Sequence, residues 1–132
     1  MILIDSNVLL DTLEEDSEWY EWSAGAVVRA GSGSIVGINQ VIYAEVSTRF
    51  ASPEEFEEVF PANVFRREPL PFTAGFLAGK AHVAYRRKGG HRTATLPDFF
   101  IGAHAVVSGY TILTRDRRRF RRYFPSVELI AP

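Results

Sequence analysis

Four acidic side chains stand at the ends of apolar segments, and carboxylates placed in this way can together bind a metal ion. A carboxylate beside a buried strand or helix loses hydration, which is unfavourable unless an opposite charge compensates. Mg²⁺ and Mn²⁺ can supply that charge because they prefer hard oxygen ligands. The question is therefore whether the four side chains converge in the fold. They are Asp5 after residues 1–4, Glu45 after 41–44, Asp98 before 99–101 and Asp116 after 112–115.

Each of these carboxylates also has a local explanation that requires no metal. Asp5 lies between a predicted strand and a predicted helix, where an acidic N-cap is common. The segment Thr95–Asp98 fits a capping box, and an acidic first turn suits the helix dipole. Asp116 could cap a short helix or lie in a turn, and Glu45 could pair with Arg49 four residues later. The sequence alone leaves these alternatives open.

The elements that must position the acids alternate between short apolar strands and helical patterns. This alternation predicts an α/β/α sandwich with a mainly parallel central sheet. In such sheets ligands bind beyond the carboxyl ends of the strands, where Asp5 and Asp116 are expected. Strands are predicted at residues 1–4, 35–38, 64–67, 110–114 and 127–130, with a turn at 31–34. Helices are predicted at 6–13, 17–30, 40–50 (capped by Asn39), 53–61, 73–87 (capped by Thr73), 95–108 (ended by Gly109) and 117–123.

The charges are divided unequally along the chain, although the net charge is only −1. Residues 1–60 contain 12 acidic and 2 basic side chains, whereas residues 61–132 contain 4 acidic and 13 basic ones. A basic half suits a polyanionic partner such as nucleic acid, but two packed halves could equally neutralise each other. Arginine is well suited to phosphate because its guanidinium can make two hydrogen bonds at once. The candidate nucleic-acid contacts are Arg92, Arg115, Arg118 and Arg121.

Size and composition predict a single domain and exclude several classes of protein. A chain of 132 residues with 46% hydrophobic residues is expected to form one domain spanning residues 1–132. It contains no cysteine, which excludes disulfides and thiolate metal sites. No apolar stretch approaches the ~20 residues of a membrane span. The N-terminus lacks the basic region of a signal peptide, so a cytoplasmic location is expected.

Two classes of phosphoaspartate protein also begin with an apolar strand that ends in an aspartate. A haloacid-dehalogenase-like phosphatase needs a second aspartate two positions later, where this chain has Asn7. A receiver domain needs a lysine after a late strand, and the only lysines are Lys80 and Lys88. Both classes therefore fit the sequence poorly.

Four short motifs resemble those of PIN-domain nucleases, and specifically of the VapC-type toxins of toxin–antitoxin pairs. No one motif is specific, but their order and spacing over essentially the whole chain are typical of that family. The loop 88–95 is longer and more basic than the family pattern, which leaves substrate details open. The motifs are Ile4-Asp5-Ser6-Asn7, the segment 38–45 ending in Ala44-Glu45, the segment 97–105 beginning Pro97-Asp98-Phe99, and Ile112-Leu113-Thr114-Arg115-Asp116.

The resemblance implies a PIN-like fold and a metal-dependent endoribonuclease that hydrolyses RNA phosphodiester bonds. It assigns Mg²⁺ or Mn²⁺ binding to Asp5, Glu45, Asp98 and Asp116, and places Asn7 and Thr114 beside the metal as hydrogen-bonding groups. It also implies a homodimer and a cognate antitoxin protein that occupies the active-site groove. The alternative is a non-catalytic PIN-like protein that binds RNA or a partner.

Overall fold

A computed structural model describes residues 1–91 and 96–132 of the chain. Its strands are β1 (Ile2–Ile4), β2 (Val36–Ile38), β3 (Phe65–Arg67), β4 (Thr111–Leu113) and β5 (Leu129–Ile130). The helices in the described residues are α1 (Ser6–Thr12), α2 (Tyr20–Gly33), α3 (Gln40–Ser47), α4 (Pro53–Val59), α5 (Phe72–Arg87), α6 (Pro97–Ser108) and α7 (Arg117–Tyr123). None of these helices is long and apolar enough to cross a lipid bilayer.

The five strands form one parallel sheet in the order β3-β2-β1-β4-β5. β1 is central, with Ile2 opposite Val36 of β2 on one side and opposite Thr111 of β4 on the other. The chain moves from β1 to β2 in one direction and later returns to β4 on the opposite side. Such a reversal leaves a crevice beyond the carboxyl end of the central strand, where α/β proteins bind ligands.

The central strands are buried on both faces, which requires helices on both sides of the sheet. All residues of β1 and β2 are buried, as expected for parallel strands covered above and below. The predicted three-layer α/β/α class is therefore confirmed. The sheet is wholly parallel, where the sequence predicted a mainly parallel one.

Both predicted boundaries of the second helix were wrong. α2 begins at Tyr20 rather than Ser17, and it continues through the glycine–serine segment that was predicted to be a turn. The Ser32 hydroxyl donates to Val28 O at 2.8 Å, and Ser34 N donates to Ala30 O at 3.0 Å. Glycine permits a turn but does not require one, and here the helical hydrogen bonds continue.

The ends of the later helices follow local signals more closely. α6 begins with Pro97 at its first turn and ends at Gly109, which has the left-handed φ of 71°. Tyr110 N donates to Ala105 O at 2.9 Å across that end, as a glycine C-cap allows. α5 follows Pro71, so Thr73 lies within the helix and is not its cap. The predicted start of α6 at Thr95 lies outside the described residues.

α6 and α7 approach closely at Gly102. A Cβ built on Gly102 would overlap the ring of Phe124, which follows α7 and is itself buried. The glycine therefore lets the two helices pack against each other, and these helices carry Asp98 and the arginines after Asp116.

We predict that Gly102→Ala destabilises the protein by about 1–3 kcal/mol, the usual cost of forcing extra atoms into a packed core. Urea denaturation of both proteins measures this difference. The matched control is Gly79→Ala in α5, where an added Cβ meets no neighbouring atom. That variant should be unchanged or more stable by up to about 1 kcal/mol, because alanine favours helix. Equal stability of Gly102→Ala and wild type would contradict the proposed close packing.

Candidate active site

Asp5 lies at the carboxyl end of the central strand and is almost completely buried, with 3% exposure. Its backbone N donates to Leu113 O at 2.9 Å, which ties the ends of β1 and β4 together. Asp5 is the residue before α1, but its carboxylate makes no capping hydrogen bond to that helix. Instead, Thr114 Oγ1 donates to Asp5 Oδ2 at 2.8 Å. The carboxylate is therefore held by the neighbouring strand, and the capping interpretation of Asp5 was wrong.

Ser6 connects Asp5 to Glu45. The Ser6 hydroxyl donates to Glu45 Oε1 at 2.9 Å and lies 3.4 Å from Asp5 Oδ1. The alternative partner of Glu45, Arg49, forms its ion pair with Glu14. Glu45 therefore faces the carboxyl edge of the sheet.

Asn39 places α3, and hence Glu45, at that edge. Ile42 N donates to Asn39 Oδ1 at 3.0 Å, so the predicted N-cap is formed. The Asn39 amide nitrogen lies 3.2 Å from Nδ1 of the buried His104. Burial lowers the pKa of His104, and a neutral ring can accept the amide proton. This contact anchors the start of α3 to α6.

Arg119 connects the two remaining acids. Its Nη1 lies 2.6 Å from Asp98 Oδ2, and its Nε lies 3.4 Å from Asp116 Oδ2. Asp98 lies in the first turn of α6, whereas Asp116 caps α7 by accepting from Arg118 N at 3.1 Å. Asp116 therefore acts as a cap, as one alternative predicted, and also contacts Arg119. The other half of the capping box predicted for Asp98, Thr95, lies outside the described residues.

Thr114 and Asn7 complete the hydrogen-bonded site. Thr114 Oγ1 accepts from Asp116 N at 3.1 Å while donating to Asp5, and Asn7 Oδ1 accepts from Arg115 N at 3.3 Å. The structure thus joins all four predicted acids through a continuous series of contacts. The series runs Glu45, Ser6, Asp5, Thr114, Asp116, Arg119 and Asp98.

The negative charge of Asp98 raises the pKa of both Asp5 and Glu45, so these three acids lie close enough to affect one another. The pKa of Asp5 is raised to about 7, mainly by burial; the Thr114 hydrogen bond opposes the shift, and the negative charges of Asp98 and Glu45 add to it. The pKa of Glu45 is also raised, first by burial and then by Asp98, against the effects of Ser6 and Arg119. These carboxylates therefore carry an unfavourable negative charge that an added cation would relieve.

The donor set suits a hard divalent cation, but it is not arranged around one. Within residues 1–91 and 96–132, no three acidic or histidine side chains stand together as a ready metal site. Asp98 and Asp116 instead hold the Arg119 guanidinium, which supplies positive charge to the cluster. The carboxylate oxygens are the ligand type that Mg²⁺ and Mn²⁺ prefer. The residues therefore fit such an ion in chemistry, with Arg119 as its competitor.

A cleft of about 570 Å³ opens beside two of these acids, Glu45 and Asp98. One part of its wall is acidic, another part carries arginines of α7, and a third part is aromatic. It is lined by Glu45, Asp98, Arg118, Arg119, Arg122, Tyr85, Phe99, Tyr123, Leu96 and Pro97.

The predicted RNA contacts are placed differently from one another. Arg115 makes two hydrogen bonds to Asp11, at 2.9 and 3.2 Å, and its guanidinium lies 5.5 Å from a ring centroid of Trp19. Arg121 is exposed on α7, and Arg92 lies outside the described residues. Arg118 lines the cleft, so its geometry is the most favourable of the three described arginines for a bound RNA strand. RNA binding by all four remains a prediction.

Sequence reasoning missed the roles that Ser6 and Arg119 have within the acidic site. Ser6 directly follows Asp5, and a hydroxyl beside a buried carboxylate is a signal that could have identified it. Arg119 lies three residues after Asp116, on the same face of a helix. Its contact with Asp98 crosses 21 positions of sequence and has no local signal.

We predict that, in EDTA, the free energy of unfolding falls as pH rises from about 4 to about 7, through Asp5. Its pKa is about 7 in the folded protein against an ordinary value of 3.8. The folded state therefore binds more protons than the unfolded state within this window, which lowers stability as pH rises. Asp5→Asn should abolish this contribution and be more stable than wild type near neutral pH by a few kcal/mol, since each pKa unit corresponds to about 1.4 kcal/mol.

Urea denaturation at several pH values between about 4 and 8 measures the difference between wild type and Asp5→Asn. The difference should be small at the acidic end and largest near neutrality. Parallel stability profiles for the two proteins would contradict the raised pKa.

Comparisons with known proteins agree with this architecture. A complex called VapBC2 from Rickettsia felis, bound to a promoter DNA fragment, contains a chain that matches with a TM-score of 0.73 and 16% identity, covering 100% of this chain and 99% of that one. FitAcB from Neisseria gonorrhoeae matches with a TM-score of 0.71 and 20% identity, covering 98% and 96%. VapBC-1 from nontypeable Haemophilus influenzae matches with a TM-score of 0.72 and 13% identity, covering 99% and 98%.

At these identities the structural matches show a shared fold. A search among curated protein sequences found no match. The sequence profile of the PIN domain, however, matches residues 2–124, which is nearly the whole chain. On that match, the protein belongs to the PIN domain family.

Proposed function

We propose that this protein is a metal-dependent endoribonuclease that hydrolyses RNA phosphodiester bonds, and that it is the VapC-type toxin of a toxin–antitoxin pair. The observation that carries the proposal is the continuous series of contacts that joins four carboxylates, of which Glu45 and Asp98 line one cleft. PIN domains are generally nucleases, and membership of that family gives the acidic cluster its expected chemistry. One domain spanning residues 1–132 would contain the whole site.

The proposed cofactor is Mg²⁺ or Mn²⁺, held by Asp5, Glu45, Asp98 and Asp116. When bound, such an ion lowers the pKa of water and stabilises the charge that develops on a phosphate during hydrolysis. The raised pKa values of Asp5 and Glu45 are what clustered, partly desolvated ligands show before a cation neutralises them.

The neighbouring side chains have distinct tasks in this proposal. Thr114 orients the Asp5 carboxylate through a 2.8 Å hydrogen bond, and its hydroxyl oxygen also accepts a hydrogen bond from Asp116 N. Asn7 accepts from Arg115 N and thereby fixes the turn between β4 and α7. Arg118 lies along the cleft, where its guanidinium can bind a phosphate of the strand.

The proposed partners are an RNA substrate, a cognate antitoxin and a second copy of the chain in a homodimer. Structures of similar fold are described as VapBC and FitAcB complexes, two of the VapBC complexes with DNA. An antitoxin with a basic side chain could enter the cleft and pair with Asp98 or Glu45, as Arg119 already pairs with Asp98. The cytoplasm is the proposed location.

A non-catalytic PIN protein that binds RNA or a partner is the second candidate. It is favoured by one observation, namely that the described acids are not preorganised around a metal ion. The two candidates differ in whether a divalent cation binds the acids and whether RNA is cut.

We predict that Asp98→Asn and Asp5→Asn each lower the rate of RNA cleavage about 100-fold or more, because metal catalysis supplies several kcal/mol of charge stabilisation. Mg²⁺ at a hundredfold excess over its Kd should stabilise wild type by ~2.7 kcal/mol and stabilise either variant far less. Cleavage is measured with purified protein and labelled RNA, and stability by denaturation with Mg²⁺ and with EDTA.

Asp16→Asn is the matched control, since Asp16 is an exposed acid outside the site. It should cleave RNA and respond to Mg²⁺ like wild type. Wild-type protein that is indifferent to Mg²⁺ and cuts no RNA would reject the nuclease and favour the non-catalytic candidate.

We also predict that RNA binding weakens steeply with salt, because each phosphate contact on a single strand releases ~0.7 of a counterion. Arg118→Ala should lower the slope of log K against log salt by about 0.7, and Arg121→Ala should do the same if it contacts phosphate. Arg29→Ala is the control, since Arg29 lines a different pocket with Ile2, at the start of β1. Slopes measured by fluorescence anisotropy that do not differ between Arg118→Ala and Arg29→Ala would contradict the phosphate contact.

A further inference from the structure

We propose that the aromatic part of the cleft is a binding subsite for one unpaired nucleobase of the bound RNA. The subsite consists of Tyr123 and Tyr85, backed by Phe99, with Arg122 and Lys88 beside it. This inference rests on the proposed nuclease function, because it assigns the nucleotide next to the phosphate that the acids would attack.

The aromatic side chains lie directly beside the acidic ones. Phe99 follows Asp98 on α6, and both residues line the same cleft as Glu45. The Phe99 ring centroid lies 5.0 Å from that of Tyr123 and 5.8 Å from that of Tyr85. A strand whose phosphate reaches Asp98 therefore places an adjacent base against these rings.

The two tyrosine rings of the subsite are held in place by packing against neighbouring residues. Phe99 is buried, whereas Tyr85 and Tyr123 are partly exposed to the cleft. The Tyr85 ring also packs against Gly90, where any Cβ would overlap it. Rings held in this way lose little conformational freedom when a ligand binds, which favours affinity.

Two cations lie close to the Tyr123 ring. The Arg122 guanidinium carbon is 5.5 Å and the Lys88 nitrogen 5.7 Å from its centroid. Proteins stack unpaired RNA bases on aromatic rings or on arginine planes, and the same cations attract the flanking phosphates. The 5.5 Å separation leaves no room for a base between Tyr123 and Arg122, so a base stacks on Tyr123 where the guanidinium moves aside to a flanking phosphate.

The chemistry of this subsite selects unpaired bases over a duplex. A base can stack on a protein ring only after it leaves its neighbours, which costs least in a single strand. The cleft volume of about 570 Å³ is within the usual range for small-ligand sites, so a nucleotide can enter it. Stacking on Tyr123 should tolerate different bases, because every base has an aromatic face.

The test uses single-stranded oligoribonucleotides with one 2-aminopurine at successive positions, in EDTA so that no cleavage occurs. Wild type and Tyr123→Phe should quench the fluorescence of 2-aminopurine at one position, because a stacked base is quenched and phenylalanine keeps the ring. Tyr123→Leu keeps apolar bulk without the ring, so quenching should be lost and Kd should rise about tenfold, in line with stacking energies.

Two controls separate stacking from general damage. An abasic nucleotide at the quenched position should weaken wild-type binding about tenfold but weaken binding by Tyr123→Leu no further. Tyr43→Leu should behave like wild type, since Tyr43 also lies near an arginine, with Arg67 5.6 Å from its ring centroid, but lines other pockets.

The results distinguish failure of the subsite from failure of the nuclease proposal. If wild type cuts RNA with Mg²⁺ but Tyr123→Leu retains wild-type Kd and quenching, the subsite is overturned and the nuclease stands. If wild type quenches 2-aminopurine in the expected pattern but cuts no RNA, the base subsite stands and the nuclease falls. Equal binding of the single strand and of a duplex of the same sequence would also overturn the subsite.

Discussion

The desolvated carboxylate of Asp5 is the constraint around which the rest of the site is arranged. It is buried at the end of the central strand, and the charges of Asp98 and Glu45 oppose its ionisation. A buried charge must be paired, hydrogen-bonded or protonated. Thr114 donates a hydrogen bond to Asp5. Arg119 forms ion pairs with the neighbouring acids, Asp98 and Asp116, and so reduces the negative charge near Asp5. A site held in this balance is one that a divalent cation can change strongly, which is the physical basis of the proposed function.

The parallel sheet brings these groups together because adjacent strands end at the same edge. β1, β2 and β4 are neighbours, so Asp5, Asn39 and Thr114 follow three adjacent strand ends. Asn39 then starts the helix that carries Glu45. Close packing at Gly102 brings α6 and α7 together, which lets Asp98 meet Arg119. The position of each acid therefore depends on the packing of whole elements.

The basic side chains of the second half of the chain lie in two kinds of environment. Some basic side chains of the second half neutralise acids, as Arg115 does with Asp11 and Arg119 does with Asp98. Others, such as Arg118 and Arg122, lie along a cleft that also contains acidic and aromatic groups. The two explanations left open by the sequence, mutual neutralisation and a polyanionic partner, thus apply to different residues of the same basic segment, 115–122. The RNA strand of the proposed function would lie in this cleft, where acidic and basic side chains are adjacent.

Local sequence determined much of the architecture. The alternation of apolar segments predicted the five strands, and the signals at Asn39 and Gly109 predicted a helix start and a helix end. These features depend on hydrogen bonds and side-chain periodicity within a few residues, which the sequence displays directly. The motif acids could also be chosen as site residues, because carboxylates at the edges of apolar segments are unusual without a partner.

Only the tertiary structure decided which partners those acids have. Glu45 has an arginine four residues later, yet its hydrogen bond comes from Ser6, 39 positions away. Asp5 occupies a capping position but receives the Thr114 hydroxyl across the sheet. The meeting of Arg119 with Asp98 likewise depends on how two helices pack. Such contacts are set by the orientation of distant elements, and the spacing of residues along one element carries no information about that orientation.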